Sequence, residues 1–180
     1  MCSPAGGVVG QILVEGQALE TLVNDWLDQI EALVGDGTVV IGIRSGGEEL
    51  AARTVARLKA AGRGATLGLL DIALYRDDFG LRTGIPRVLG TEIPGDIDGR
   101  ELLLVDDVFY TGRTARAALT RIGDLGRARV VRMATLARRP GHQVPIAPDV
   151  VAFEVDDPGP NQRVCLDFEA GQLRLEAGKR

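Results

Sequence analysis

The stretch Glu101-Leu-Leu-Leu-Val-Asp106-Asp107-Val-Phe-Tyr-Thr111-Gly112-Arg113-Thr114 constrains this chain more than any other. Leu102 to Val105 are apolar without alternation, which predicts a strand buried on both faces, at the centre of a parallel sheet. Two adjacent carboxylates follow, at the strand's carboxyl end, where open α/β sheets bind ligands. Adjacent buried carboxylates repel and need hydroxyls, cations or solvent. Thr111-Gly112-Arg113-Thr114 then predicts a tight turn into a helix. Its backbone N–H groups and two hydroxyls converge on a helix N-terminus, a ready anion site. A helix cap would account for one acid, not for two followed by Thr-Gly-Arg-Thr. The combination suits a ribose 5-phosphate, with phosphate in the turn and carboxylates on the 2′- and 3′-hydroxyls.

The rest of the chain supplies the sheet and helices around this segment. Leu19, Leu22, Val23, Trp26, Leu27, Ile30, Leu33 and Val34 recur at helical spacing and predict a helix over 17–34, stopped by Gly35-Asp36-Gly37. Val39 to Ile43 predicts a buried strand, and residues 48–61 a helix. Residues 66–71 predict a second strand, and the polar, Gly-containing stretch 75–87 a mobile loop. After the strand over 101–105, residues 106–112 read as a turn and 113–125 as a helix. Strands are expected at 129–136, 150–154 and 163–168. Alternating strands and helices predict an α/β fold with a mostly parallel sheet flanked by helices. With 180 residues and no linker or repeat, one domain over 1–180 is expected, burying about 70% of its unfolded surface.

Composition excludes several classes. No run of about 18 uncharged apolar residues exists, so no membrane helix is expected. The first residues lack the basic and apolar regions of a signal peptide. Two cysteines, Cys2 and Cys165, cannot build a disulfide framework or a four-cysteine zinc site, and they fit a reducing, cytoplasmic setting. One histidine, His142, leaves little room for His-based metal or triad chemistry. No G-x-x-x-x-G-K-[ST] or G-x-G-x-x-G occurs. The net charge of −4 hides an asymmetry: between Val108 and Pro148 stand eight arginines and one acid, Asp124. That basic stretch reads either as a solvated helix face with loops or as a site for phosphate or RNA.

The 101–114 segment resembles the PRPP-binding motif of type I phosphoribosyltransferases. Leu70 to Phe79, Thr91 to Ile97 and Val105 to Leu119 are similar to the PyrR group, pyrimidine-operon attenuation regulators that are also uracil phosphoribosyltransferases. The resemblance implies a type I phosphoribosyltransferase fold with a small hood, made by the 72–95 loop and the late strands. It implies Mg²⁺-dependent transfer of phosphoribosyl from PRPP to a nucleobase, uracil foremost, giving UMP and pyrophosphate. Asp106 and Asp107 would hold the ribose and the metal, and Thr111, Gly112, Arg113 and Thr114 the 5-phosphate. Arg44, Ser45 and Gly46 occupy the place of the family's pyrophosphate loop, and Arg76 would close over pyrophosphate. Asp106, Asp107 and Arg76 are then the residues expected to carry catalysis, with orientation and electrostatic stabilisation dominating and no general base assigned. By family analogy the chain is expected to form a homodimer or homotetramer.

The departures from the family fall at the pyrophosphate, base and RNA positions. The family's loop reads Arg-Thr-Arg-Gly or similar, whereas this chain has Arg44-Ser45-Gly46-Gly47, without the second basic residue. The base-binding stretch, Asp-Arg-Gly-His-Arg-Glu-Leu-Pro followed by Gly-Lys-Asn, is replaced by Arg138-Arg139-Pro140-Gly141-His142-Gln143-Val144-Pro145 and Ala152-Phe153-Glu154. Phe153 reads as core more readily than as a base-stacking ring. On the first helix the charges are Glu20, Asp25, Asp28 and Glu31, which repel phosphates and argue against RNA binding. The alternative function is a nucleotide-sensing, RNA-binding regulator of pyrimidine genes with little or no catalysis.

Overall fold

The computed structural model of the protein describes residues 10–44, 46–73, 90–159 and 161–177. Five apolar runs pair as one parallel sheet: β2 (Val39–Ile43), β3 (Thr66–Leu70), β4 (Glu101–Phe109), β5 (Val130–Arg138) and β6 (Val150–Glu154), in the order β3-β2-β4-β5-β6. Every residue of β2 is buried, because helices cover both faces of the sheet. Val40, Leu103, Val105, Ala134 and Leu136 face one core, shared with α1 (Gly16–Leu33) and α2 (Glu48–Ala60). Val39, Ile41, Ile43, Leu102, Leu104 and Met133 face the other, covered by α3 (Arg113–Leu125).

The amphipathic pattern of α1 buries Leu19, Val23, Trp26, Leu27 and Ile30, as its spacing requires. The acids on its outer face are answered by α2: Arg53 Nη1 lies 3.1 Å from Glu20, Arg57 Nε lies 3.0 Å from Glu31, and Arg57 also pairs with Asp28. These exposed pairs add little stability, but they orient α1 against α2.

Three strands form a second, antiparallel sheet in the order β1-β8-β7: β1 (Ile12–Glu15), β7 (Gln162–Asp167) and β8 (Gln172–Ala177). This is the hood; of the 72–95 loop also expected to contribute to it, residues 74–89 lie outside the described residues. The hood joins the first strand of the chain to the last two. On the exit side of the 72–95 stretch, Glu92 instead pairs with Leu69 at the free edge of β3. Cys165 is buried on β7. No helix of the described residues is long and apolar enough to cross a membrane.

Candidate active site at the sheet's switch point

From β2 the chain runs through α2 to β3 on one side, and the next strand, β4, lies on the other side of β2. The strand order therefore reverses between the carboxyl ends of β2 and β4, the place where doubly wound sheets open a crevice. Two turns meet there: residues 44–47 after β2 and residues 110–112 after β4.

The first of these turns lies close against the end of β4. A β-carbon on Gly46 would lie 2.5 Å from Asp107 Oδ1, and one on Gly47 would lie 2.0 Å from the Val105 carbonyl oxygen. The turn after β2 thus runs close against the end of β4 at both glycines, with main chain in the way at Gly47 and a side chain at Gly46. A side chain at position 46 would require the Asp107 carboxylate to move aside.

The sequence predicted a turn from Asp106, but β4 continues through Asp106 and Asp107 to Phe109. The reason is its neighbour: β5 pairs with it at Asp106↔Thr135, Val108↔Ala137 and Phe109↔Arg138. The two carboxylates are therefore held on a strand. Asp106 is buried, and its Oδ1 accepts the Asp107 N–H at 3.1 Å. Asp107 Oδ1 accepts the Val108 N–H at 2.7 Å. Burial pushes the Asp107 carboxyl above the usual carboxylate range, against the opposing pull of the Val108 N–H.

After β4, Gly112 caps α3 with φ +81°, a left-handed conformation, and a β-carbon there would meet Val144 Cγ2 at 2.5 Å. Thr111 Oγ1 accepts the Arg113 N–H at 3.3 Å, and the Thr111 carbonyl accepts from Gln143 at 2.9 Å. Arg113 is exposed and Thr114 half-buried at the head of the helix. No acid occupies the first turn of α3, so its positive end is open to an anion.

Arg44 sits at the end of β2 with its side chain 12% exposed. Its guanidinium donates to the Gly90 carbonyl at 2.7 Å, to Glu48 at 3.1 Å and to Glu92 at 2.8 Å. Ser45 and Arg76, with Asp77 and Asp78, lie outside the described residues. Among the described residues, no cluster of three or more His, Cys, Asp or Glu side chains is arranged to hold a metal. The acid pair alone suits Mg²⁺, which takes one or two carboxylates and fills its remaining positions with substrate phosphates and water.

Beside the crevice lies a cavity of about 520 Å³ at the carboxyl ends of β4, β5 and β6, lined among others by Phe109, Arg138, Arg139, His142 and Glu154. Arg138 and Glu154 are register partners on β5 and β6 and make a two-pronged ion pair, 3.0 Å and 2.6 Å. Arg139 is buried, with its guanidinium 4.0 Å above the Tyr110 ring, donating to the Gln162 and Gly159 carbonyls. Phe153 packs against the core and does not line the cavity. Sequence reasoning missed the Arg138–Glu154 pair and the Arg139–Tyr110 stack. The only available signal was charge alternating across two predicted strand ends.

Comparison with known proteins agrees with this geometry. The phosphoribosyl transferase domain model matches residues 10–169. The bifunctional protein PyrR of Pelotomaculum thermopropionicum is 45% identical over 147 residues, 81% of each chain. That of Geobacter sulfurreducens is 42% identical over 157 residues, 86% of each. Among solved structures, the hypoxanthine phosphoribosyltransferase of Trypanosoma cruzi superposes with a TM-score of 0.71 at 16% identity, over 95% of this chain and 98% of that one. A hypoxanthine-guanine phosphoribosyltransferase from Bacillus anthracis gives 0.67 at 21%, over 82% and 85%. The last two establish shared architecture alone, while the family model and the PyrR identities carry descent: the chain belongs to the type I phosphoribosyltransferase family, with the PyrR proteins as its relatives.

Proposed function

We propose that this chain transfers the phosphoribosyl group of PRPP to a nucleobase, uracil foremost, giving UMP and pyrophosphate. The carrying observation is the meeting of the acid pair on β4 with the Gly46-Gly47 turn at the switch point, within contact distance of one another. That crevice suits a ribose bearing phosphate at one end and pyrophosphate at the other.

In this reading the bond from ribose C1 to pyrophosphate breaks, a bond from C1 to a ring nitrogen forms, and the base loses the proton of that nitrogen. Backbone N–H groups at the start of α3, with Thr111 and Thr114, hold the 5-phosphate. Gly112 lets that turn close tightly. Asp106 and Asp107 accept the ribose hydroxyls and would hold Mg²⁺, which supplies charge neutralisation for the departing pyrophosphate. Gly46 in the turn after β2 would bind the pyrophosphate by its backbone, and Ser45, outside the described residues, belongs to this reading by the family resemblance. Arg76 belongs to this reading as a cation over the leaving group. The cavity behind Phe109 takes the base, with Arg138, Arg139 and Glu154 as the groups that replace the family's base-reading residues. Orientation of the two reactants accounts for most of the acceleration.

The test is pyrophosphate release from PRPP and Mg²⁺ with uracil, orotate, hypoxanthine, guanine, xanthine and adenine offered separately. Release with uracil supports the assignment. Release with another base alone moves the specificity to that base. No release, with PRPP or UMP still raising the melting temperature, replaces catalysis by nucleotide sensing.

The second reading is an RNA-binding, nucleotide-responsive regulator, favoured by the chain's relatives, the bifunctional PyrR proteins. The charge distribution weighs against it. Acids of α1 are paired to α2, and four arginines of the basic stretch face internal partners: Arg129 and Arg132 bind Glu101, Arg138 binds Glu154, and Arg139 binds main-chain carbonyls. Salt-dependent retention on RNA decides the point, since a steep slope requires several free cations on one surface.

A further inference from the structure

We propose that Arg44 and Asp71 are positioning residues that lock the stems of the 74–89 segment to the turn after β2, and that pyrophosphate affinity at that turn depends on this lock. The proposal rests on the PRPP reading above for its ligand, but its geometry stands on described residues alone.

The entry stem, residues 69–73, and the exit stem, residues 90–92, are joined at several points. Leu69 and Glu92 exchange both backbone hydrogen bonds, at 2.7 Å and 2.8 Å. Asp71 bridges the two stems: one carboxylate oxygen accepts the Ala73 N–H at 2.8 Å and the other accepts the Gly90 N–H at 3.2 Å. The Asp71 N–H donates to Thr91 Oγ1 at 3.2 Å. Arg44 then fastens the exit stem to the site. Its N–H donates to the Leu70 carbonyl at 2.9 Å, Nε to the Gly90 carbonyl, Nη2 to Glu92, and Nη1 to Glu48 at the start of α2.

One residue therefore ties the end of β2, the head of α2 and the exit stem. The turn it leads runs so close to β4 that β-carbons added at Gly46 and Gly47 would lie 2.0–2.5 Å from Asp107 and Val105, so the place of Arg44 sets the place of the turn beside the acid pair. Only a guanidinium can do this. Its planar fork addresses three directions at once, whereas a lysine offers a single point charge. The Glu92 contact alone is weak, because that carboxylate is 72% exposed. The Gly90 carbonyl and the Asp71 bridge carry the lock.

The direct-contact alternative has Arg44 acting as a charge on pyrophosphate. The two differ at Asp71, an anion that cannot itself attract pyrophosphate. The experiment compares Arg44→Lys, Arg44→Met and Asp71→Asn with the wild-type chain. It reads amide hydrogen exchange in the free protein and affinity for inorganic pyrophosphate with Mg²⁺ by calorimetry. The lock predicts at least tenfold faster exchange at Gly90 and Glu92 in all three variants, with Val105 on β4 unchanged. It also predicts about tenfold weaker pyrophosphate binding in all three, with no rescue by lysine. Unchanged exchange in the variants overturns the proposal. So does normal pyrophosphate affinity in Asp71→Asn, or recovery of affinity by Arg44→Lys. Asp71→Asn preserves size and one acceptor, so it keeps the test decisive if the arginine variants fold poorly. A wild-type chain that binds no pyrophosphate fails the PRPP reading instead, and the exchange comparison still tests the lock.

Discussion

The Asp107 carboxylate lies where a side chain on Gly46 would have to go, 2.5 Å from the position of its β-carbon, although Gly46 is in the turn after β2, Asp107 is on β4, and the two are 61 positions apart. That contact fixes how closely the turn after β2 approaches the end of β4, and so the width of the crevice between them. It also makes the two glycines of the turn unequal. Gly46 faces the movable end of a side chain, whereas Gly47 faces a main-chain carbonyl in the middle of the sheet.

The first prediction follows from that inequality. Gly46→Ala forces the Asp107 carboxylate to rotate and costs about 1 kcal/mol, at the low end of overpacking effects. Gly47→Ala must displace the Val105 carbonyl and costs about 3 kcal/mol or more. Urea unfolding of the two variants measures the difference. Equal losses would mean that the turn yields as a unit and that the close contact with β4 is soft.

Asp107 sets up an opposition between stability and function. Its folded carboxyl holds its proton to higher pH than the same group in the unfolded chain, because burial disfavours the charge. Between the ordinary carboxylate range and the raised folded value, the unfolded chain has released that proton and the folded chain has not. The folded state then binds more protons, so stability falls as pH rises through that window and stays reduced above it. Asp107→Asn mimics the neutral form. It is expected to raise the melting temperature at neutral pH while lowering PRPP-dependent turnover at least about tenfold, roughly 1.4 kcal/mol in the barrier. Unchanged turnover in a folded variant would remove the carboxylate pair from the mechanism.

Much of this was legible in the sequence, and the parts that were not share a cause. The apolar runs of β2 and β4, the period of α1 and the Asp-Asp…Thr-Gly-Arg-Thr segment announce themselves locally, since burial on both faces leaves unbroken hydrophobic runs. The extension of β4 past Asp106 was hidden because charge usually ends a strand. Here the β5 ladder carries the backbone on to Phe109. The hood's late strands were expected from the resemblance, but the part that β1 plays in it was hidden for a similar reason. β8 alternates over Gln172-Leu-Arg-Leu-Glu, but its partners are β1, at the other end of the chain, and β7, so the sheet exists only after closure. Arg44 stood in the right place, yet its orientation is decided by Gly90 and Glu92, 46 and 48 residues away. Local pattern finds what a residue is beside; it does not find what a guanidinium turns toward.

Gly112 combines two demands that no other residue meets. Its φ of +81° costs a side-chain-bearing residue about 1–2 kcal/mol, and a β-carbon would strike Val144 Cγ2. Gly112→Ala is therefore expected to lose about 2–4 kcal/mol and to move the first turn of α3. In thermal shift experiments the variant should show little of the stabilisation that PRPP with Mg²⁺ confers on the wild type. A variant that keeps the full PRPP shift would place the 5-phosphate elsewhere.

The hood carries the acid sensitivity. Arg174 on β8 lies 2.9 Å from Asp167 and 2.9 Å from Glu176, and Arg163 on β7 lies 2.8 Å from Glu176. The Ala170 N–H, with Arg174, holds the Asp167 carboxyl below its usual range, and Arg163, with Arg174, does the same for Glu176. Depressed folded values contribute stability that is present above the ordinary carboxylate range and is lost as pH falls through the folded values. Arg174→Met keeps the apolar stem and removes the charge, so it isolates this contribution. It is expected to cost about 1–2 kcal/mol at pH 7, because two hydrogen-bonded carboxylates lose their shared cation. The gap between variant and wild type should narrow as pH drops from about 5 to 3, where the carboxylates of both become protonated. Urea unfolding at stepped pH reads it directly. A gap that stays constant down to pH 3 would mean that Arg174 stabilises the hood by packing its stem across β8 rather than by its charge.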